Sequence, residues 1–172
     1  MDTPVPETLT FGQGVRLEEV FYVSYRRLVM QLYGVVGDRV EAEDLVQEAF
    51  VRAASAGKSF ERTVNPEAWL RTTAINLHRS RWRKLRSFAR IKARVAEPQD
   101  VPGLDERLDV IEALRSLPED QRQVVALHHL ADLAVLDIAH ELGLPEGTVK
   151  SRLSRGREAL AQALADEEVD HV

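Results

Sequence analysis

The sequence contains no cysteine, few aromatic residues and no long apolar run, and each absence narrows what this protein can be. With no cysteine among 172 residues, disulfides, cysteine-based zinc sites and thiol catalysis are excluded. Residues 1–14 lack the basic and apolar stretches of a signal peptide, and no apolar segment reaches membrane-spanning length. We therefore expect a cytoplasmic protein that does not insert into a membrane, and its 44% apolar content is sufficient for hydrophobic cores.

The net charge of −5 conceals a strong segregation of charge along the chain. Residues 68–96 carry nine basic side chains and no acidic one, whereas the rest of the chain carries 14 basic and 28 acidic side chains. Such a basic stretch produces a local positive field and is typical of surfaces that bind phosphates. The acidic remainder would weaken nonspecific DNA binding and would suit a basic protein partner.

Apolar residues recur at helical spacing along nearly the whole chain, which predicts an all-α fold. In the first half the spacing predicts helices over 15–36, over 41–56 and from Pro66 onward. Gly37 and Gly57 should end the first two helices, because glycine accepts the backbone conformation of a helix C-cap. The stretch from 59 to 66 is predicted to be a loop.

Segment 97–104, EPQDVPGL, has the composition of an exposed linker, with two prolines, a glycine and two acidic residues. Helical periodicity resumes at Asp105, and Pro118 should open a further helix. We therefore predict two small helical domains, residues 10–95 and 105–165, joined by a flexible linker at 96–104.

Residues 133–160 predict two short helices joined by a tight turn, the second of them basic. Gly143 and Pro145 should end the first helix, and Thr148 is a suitable N-cap for the second. Val149 and Leu153 lie four positions apart and should face the first helix, which leaves the lysine and arginine side chains on the other faces. The pattern predicts a helix-turn-helix that offers a basic helix to a DNA major groove. The alternative is an ordinary packed helical corner with solvated cations.

The predicted third helix, residues 65–84, carries polar and basic side chains opposite an apolar face, with Trp69 and Trp82 near its two ends. Cations that bind phosphates, beside aromatic and amide groups that contact bases, are typical of single-stranded DNA recognition. The alternative is that both tryptophans lie in the core and that the arginines are solvated.

The run GTVKSRL at 147–153 resembles the recognition-helix signature of bacterial sigma factors, specifically the extracytoplasmic-function (ECF) group of the sigma-70 family. Four blocks in the family's order carry the resemblance further: 41–52 (EAEDLVQEAFVR) resembles region 2.2, the third helix with Trp69 and Asn76 resembles regions 2.3–2.4, 105–130 resembles region 4.1, and 133–160 resembles region 4.2. The resemblance implies that the first domain is a sigma region 2 bundle and the second a sigma region 4 helix-turn-helix.

The resemblance implies a sigma factor, and not an enzyme, that directs RNA polymerase to specific promoters and promotes melting of the −10 element. The implied partners are core RNA polymerase, through the clamp coiled coil of its largest subunit and its flap region, and promoter DNA, as a −35 duplex and a −10 single strand. An anti-sigma protein is a further partner that the resemblance allows. No cofactor and no metal ion is implied.

The resemblance also carries functional residues onto this chain. The residues expected to contact the polymerase clamp are Asp44, Leu45, Gln47, Glu48 and Arg52. The residues expected to contact the −10 strand, with 60–65 as a loop that captures a flipped base, are Phe60, Asn65, Trp69, Asn76, Arg79, Ser80 and Arg83. The residues expected to face the −35 groove are Thr148, Lys150, Ser151, Arg152, Ser154 and Arg155. The ordinary alternative for 41–52 is an amphipathic helix with a solvated acidic face.

Two other classes of protein compete with this interpretation. A metalloenzyme could use His128, His129 and His140, but adjacent histidines cannot share a helix face. A stand-alone helix-turn-helix repressor would explain residues 133–160 but would leave the first domain without a role. Leu136 stands where family members often carry an acidic residue, and we expect it to pack on the protein or to meet a partner.

Overall fold

The computed structural model describes residues 14–88 and 105–170, and within these ranges the side chains of 14–85, 110–163 and 165. The described residues form eight helices, which confirms the all-α prediction. In chain order they are α1 (Leu17–Val36), α2 (Arg39–Ala56), α3 (Lys58–Glu61), α4 (Pro66–Phe88), α5 (Asp105–Arg115), α6 (Glu119–Leu130), α7 (Val135–Leu142) and α8 (Glu146–Asp170). The linker predicted at 96–104 lies outside the described residues, as do 10–13 and 89–95 of the predicted first domain.

Helix ends fall where the glycines predict them. Gly37 ends α1 with a φ of 80°, and its amide donates to the Tyr33 carbonyl at 2.8 Å. Asp38 then caps α2 by accepting a hydrogen bond from the Glu41 amide at 3.0 Å. Gly57 ends α2 with a φ of 51°, which a residue with a Cβ rarely adopts.

The stretch predicted to be a loop at 59–66 contains the last three residues of the one-turn helix α3, so that part of the prediction is wrong. The reason lies in tertiary packing, because Phe60 is 1% exposed and inserts its ring into the core. The Glu61 amide closes the turn by donating to the Gly57 carbonyl at 3.1 Å. An extended loop would leave that ring in water.

The helices group into an N-terminal module (α1–α4) and a C-terminal module (α5–α8). The largest fully buried apolar side chains of the N-terminal module are Leu28, Leu32, Val35, Leu45, Phe60, Leu70 and Ile75. Those of the C-terminal module are Ile111, Leu114, Leu127 and Ile138. The two sets form one continuous core, because α6 packs against α1 as well as against α8. The sequence predicted two separate domains, and the periodicity of α6 did not reveal that its apolar residues serve both modules.

Candidate functional site

The helix-turn-helix consists of α7, a three-residue turn and α8. Gly143 adopts a left-handed conformation with a φ of 63°, and the Leu144 amide reaches back to the Ala139 carbonyl at 2.9 Å. This six-to-one hydrogen bond is the Schellman motif that ends many helices. Val149 and Leu153 are 0% and 6% exposed and face α7, as the sequence predicts. Their burial fixes which side of α8 is presented outward.

The predicted capping role of Thr148 is wrong, because α8 begins two residues earlier, at Glu146. The Pro145 carbonyl accepts hydrogen bonds from the amides of Thr148 and Val149 at 3.0 and 3.2 Å. Thr148 is therefore already inside the first turn and is half-buried. Glu146 lies where a carboxylate favours the positive end of the helix dipole.

The side chains predicted to face the −35 groove lie on α8 and differ in their exposure to solvent. Lys150, Ser154 and Arg155 are exposed. Ser151 and Arg152 are half-buried, and the Arg152 Nε lies 3.4 Å from an oxygen of Asp120 in α6. Lys150 and Arg155 are thus the two exposed cations of this set, and exposed Ser154 and half-buried Ser151 lie between them in the sequence.

The side chains predicted to contact the −10 strand lie on or next to α4. Asn76 and Arg83 are exposed, and Ser80 is half-buried. Asn65 is exposed, and its side chain caps α4 by accepting from the Ala68 amide at 3.0 Å. The beginning of α4 is therefore fixed by the same loop that the sequence predicts to capture a base.

Phe60 does not lie on that surface, so its prediction as a base contact requires correction. Its ring is buried and packs edge-to-face on Trp69, with 5.1 Å between ring centroids. Trp69 itself is half-buried, and the neighbouring Val64 is 89% exposed. Phe60 supports the base of the loop from inside the core because an aromatic ring at this position gains more from burial than from solvent contact.

Arg79, the fifth candidate on α4 for contact with the −10 strand, forms a hydrogen bond with the C-terminal module. It donates from Nη1 to the Leu142 carbonyl, at 3.0 Å, at the C-terminal end of α7. Burial lowers the pKa of this guanidinium below its ordinary value, the nearby positive charge of Arg152 lowers it further, and Glu119 opposes both. Arg79 remains charged, and it is close enough to Arg152 for one candidate −10 cation and one candidate −35 cation to repel each other.

The predicted polymerase-binding residues lie on α2, with one correction. Asp44, Gln47 and Arg52 are exposed, and Glu48 is half-buried between Arg52 and Arg81, at 3.3 and 3.4 Å. Leu45 is 0% exposed, so it holds α2 in the bundle and cannot reach a partner in this arrangement. The helical period gives the reason, because Leu45 shares the inward face with its neighbours three and four positions away.

An aromatic patch beside the α2 face was missed by the sequence analysis. Phe21 stacks on Tyr25 with 4.7 Å between centroids and meets Phe50 edge-on at 5.1 Å. Tyr22 is 86% exposed, and the Tyr25 hydroxyl accepts from the Gln47 amide at 3.2 Å. Helical spacing predicts only that α1 has an apolar face, and the packing of α2 on α1 shows that this patch is partly open.

The second missed feature is a buried ion pair between the modules. Arg71 is 3% exposed and donates from Nε and Nη2 to the two carboxylate oxygens of Glu141, at 2.9 and 2.7 Å. Its Nη1 donates to Gln31 at 3.1 Å. The helical period predicts that Arg71 lies on the polar face of α4, and no local signal distinguishes it from the other cations of that helix.

The remaining predictions concern metal sites, membranes and Leu136. Within residues 14–88 and 105–170, no three histidine or acidic side chains are grouped so that they could hold a metal ion. None of the helices in the described part of the chain is long and apolar enough to cross a membrane. Leu136 is 62% exposed on the first turn of α7, so the described part of its own chain leaves most of it uncovered.

Comparison with known proteins identifies the two modules. The Sigma-70 region 2 family matches residues 21–88, and the Sigma-70, region 4 family matches residues 107–160. The chain is 34% identical over 160 residues to the ECF RNA polymerase sigma factor SigW of Bacillus subtilis, covering 83% of this chain and 86% of that relative. It is 32% identical over 166 residues to the ECF sigma factor SigC of Mycobacterium tuberculosis, covering 92% and 87% respectively.

Solved structures show the same likeness. The sigma factor RpoE of Bartonella quintana, in complex with the anti-sigma factor NepR, superposes with a TM-score of 0.67 at 29% identity, over 86% of this chain and 96% of that one. CnrH, in complex with the cytosolic domain of CnrY, superposes with a TM-score of 0.59 at 22% identity and shares the fold, over 87% of this chain and 88% of that one. The chain belongs to the ECF group of the sigma-70 family and is an RNA polymerase sigma factor that directs transcription initiation at promoters.

Proposed function

We propose that this chain binds core RNA polymerase, contacts the −35 element as duplex with α8, and opens the −10 element with α4 and the loop that precedes it. The outward side of α8 carries the proposal: Lys150 and Arg155 are exposed on a helix whose opposite side is fixed by buried Val149 and Leu153. A cation held at this geometry can bind guanine in the major groove. We place this contact at the −35 element because the chain resembles sigma factors.

The −10 assignment extends the same reasoning to the N-terminal module. Extruding a base from the duplex costs a few kcal/mol, so opening must be nucleated by a local site that binds the extruded base. Half-buried Trp69, exposed Asn76 and exposed Arg83 offer a ring for stacking, an amide for base edges and a cation for phosphate. We assign strand capture to these three residues and a supporting role to Phe60.

For the polymerase contact we propose the exposed side of α2, with Asp44, Gln47 and Arg52, against the clamp coiled coil of the largest subunit. The flap region is the corresponding partner of the C-terminal module. Because the enzyme's catalytic centre belongs to the polymerase, we propose no catalysis and no cofactor for this chain. The complex of RpoE with NepR supports an anti-sigma protein as a further partner. Binding to polymerase on chromosomal DNA would place the chain in the cytoplasm.

Run-off transcription with purified core polymerase on genomic promoter fragments tests the proposal. We expect transcripts only when both proteins are present, and we expect promoter DNA to shift in a gel with core polymerase but poorly without it. Tight, core-independent binding to one DNA site as a dimer would instead identify a repressor. Failure of the chain to co-elute with core polymerase would contradict the proposal directly.

Single substitutions separate the two DNA-binding roles. Arg155→Ala should weaken binding to −35 duplex by about 1–3 kcal/mol if it contacts a guanine. Arg26→Ala is the matched control, because it removes the same charge from an exposed position on α1, outside the helix-turn-helix. Arg83→Ala should impair opening at −10, measured by permanganate reactivity of unpaired thymines, whereas Arg26→Ala at its exposed position on α1 should not. Equal loss of both functions from Arg155→Ala and Arg83→Ala would contradict the division of roles.

A further inference from the structure

The loop between α3 and α4, residues 62–65, carries an apolar side chain that the described part of the chain leaves almost wholly in water. Val64 is 89% exposed, the highest exposed fraction among the large apolar side chains that the structure describes. The residues on either side of it, Thr63 and Asn65, are polar, and Arg62 is exposed as well. Val64 therefore adds almost no burial to the fold and is available to contact a partner.

Hydrogen bonds on both sides of Val64 hold the backbone of the loop in place. The Thr63 amide donates to the Phe60 carbonyl at 2.9 Å. On the other side, the Asn65 side chain accepts from the Ala68 amide at 3.0 Å. The valine itself is branched at Cβ and has few side-chain rotamers, so it loses little conformational entropy when a partner covers it.

The base of the loop is anchored in the core of the N-terminal module. Phe60 is 1% exposed and packs edge-to-face on Trp69, with 5.1 Å between ring centroids. The Glu61 carbonyl accepts from the Val15 amide at 3.1 Å, just before α1 begins. Val64 therefore projects from a fixed support, which a side chain needs if it is to push two groups apart.

The loop leads directly into the side of α4 to which we assign capture of the −10 strand. Trp69, Asn76 and Arg83 stand seven positions apart, which is close to two helical turns and about 10.5 Å of rise per step. They therefore follow one line along the helix, and Trp69 is the member nearest the loop. Val64 lies beyond this end of the line, where a strand bound along α4 would leave the helix.

We propose that Val64 is an apolar wedge that inserts between adjacent base pairs at the edge of the −10 element and starts their separation, an inference that rests on the function proposed above. Apolar side chains inserted at a base step unstack it and kink the duplex. Arg62, exposed two positions earlier, supplies a positive charge for the phosphates beside the step. Contact between the valine and the base faces offsets part of the cost of unstacking, and the freed strand continues onto Trp69.

Val64→Thr tests the wedge with little change in the shape of the side chain, because threonine is also branched at Cβ. In the presence of core polymerase, we expect Val64→Thr to lower the permanganate reactivity of −10 thymines on a duplex promoter by about tenfold, because a hydroxyl between bases reduces apolar burial and must be desolvated. Val64→Ile keeps an apolar branched side chain and should open the promoter at least as well as the original protein. Val23→Thr is the matched control, since Val23 is 71% exposed on α1, and it should leave opening unchanged.

A promoter template with a mismatched bubble over the −10 element distinguishes a wedge from a base-binding residue. The strands of the bubble are already separated, so Val64→Thr should direct run-off transcription from it as well as the original protein does. A loss of equal size on bubble and duplex would show that Val64 contacts the extruded base instead, and would overturn the wedge. Equal opening of the duplex by Val64→Thr and Val23→Thr would overturn it as well.

Two further measurements separate this inference from a protein contact and from the proposed function. Co-elution of Val64→Thr with core polymerase should be unchanged, and weaker co-elution would identify Val64 as a polymerase contact and overturn the proposal. Transcription by both the original protein and Val64→Thr, at equal levels on the duplex, would contradict the wedge alone. Absence of transcripts from the original protein on both templates would contradict the proposed function, and the wedge with it.

Discussion

Gly156→Ala should destabilise the C-terminal module, because Gly156 lies where α8 crosses α6. A Cβ at this position would lie 2.5 Å from Cγ2 of Val125 and 3.4 Å from Cβ of Gln121. Val125 is 0% exposed, and its β-branched side chain has few accessible rotamers, so it cannot turn away. The contact can be relieved only if α8 moves away from α6, which would disturb the recognition helix.

The size of the effect follows from two opposing contributions. Overpacking a dense core costs about 1–3 kcal/mol, whereas replacing glycine with alanine in a helix interior gains up to about 1 kcal/mol. Gly147→Ala in the same helix is the comparison, since an added Cβ there would meet no atom within 4 Å apart from its chain neighbours and the nearby backbone of its own helix. We expect Gly147→Ala to be neutral or stabilising and Gly156→Ala to be about 1–3 kcal/mol less stable than Gly147→Ala.

Urea unfolding followed by far-ultraviolet circular dichroism measures this difference. Tryptophan fluorescence is a useful second signal, because both tryptophans lie in α4 and therefore report on the N-terminal module. We expect the circular dichroism transition of Gly156→Ala to shift to lower urea. If Gly156→Ala unfolds at the same urea concentration as Gly147→Ala, with the same dependence on denaturant, the close packing of α8 on α6 is refuted.

Two further substitutions test the N-terminal module. Glu67→Gln should lower the free energy of unfolding at neutral pH and have little effect in acid. Burial raises the pKa of Glu67, but hydrogen bonds from Arg27 and Gln31 and the charges of Arg27 and Arg71 lower it more. The pKa therefore lies below its ordinary value of 4.5. The ionised carboxylate therefore contributes stability above the ordinary pKa, and this contribution is lost as the pH falls through the lower folded-state pKa. Urea unfolding of the original protein and of Glu67→Gln between pH 3 and 7 measures the difference. An equal difference in unfolding free energy at pH 3 and at pH 7 would argue against this reasoning. Phe60→Ala should cost about 3–5 kcal/mol in the same unfolding assay because it empties a buried site under Trp69, and a loss below about 1 kcal/mol would contradict the placement of the ring in the core.

Local features of this fold could be predicted from the sequence because their causes are local. Gly37, Gly57 and Gly143 each adopt positive φ at a helix end, and glycine at the end of an apolar period predicts that conformation. The four-residue spacing of Val149 and Leu153 likewise predicted which side of α8 packs against α7. The prediction that Thr148 caps α8 failed because the sequence allows two starting points for this helix. The Pro145 carbonyl accepts the first hydrogen bonds, so the helix begins earlier.

Long-range features could not be predicted, since no short-range rule applies to them. Arg71 and Glu141 stand 70 positions apart, and neither differs in its local sequence from the solvated charges around it. The wrong assignment of Leu45 has another cause, because the resemblance to a family block outweighed a helical period that already placed this leucine inside. A transferred residue set therefore needs to be checked against the period of the helix that carries it.

The acidic and basic parts of this chain also contact each other, at the interface between the two modules. The excess of acidic residues outside 68–96 suggested a basic protein partner, but some of these carboxylates face the basic helix α4 of the same chain. Glu119 lies near Arg79 and His78. Glu141 forms an ion pair with Arg71. The C-terminal module therefore contacts cations of α4 that lie on or beside the surface proposed to bind the −10 strand. Because the Arg71–Glu141 pair is buried, salt should screen it far less than it screens contacts with phosphate. Raising the ionic strength should then weaken promoter binding while the Arg71–Glu141 pair persists.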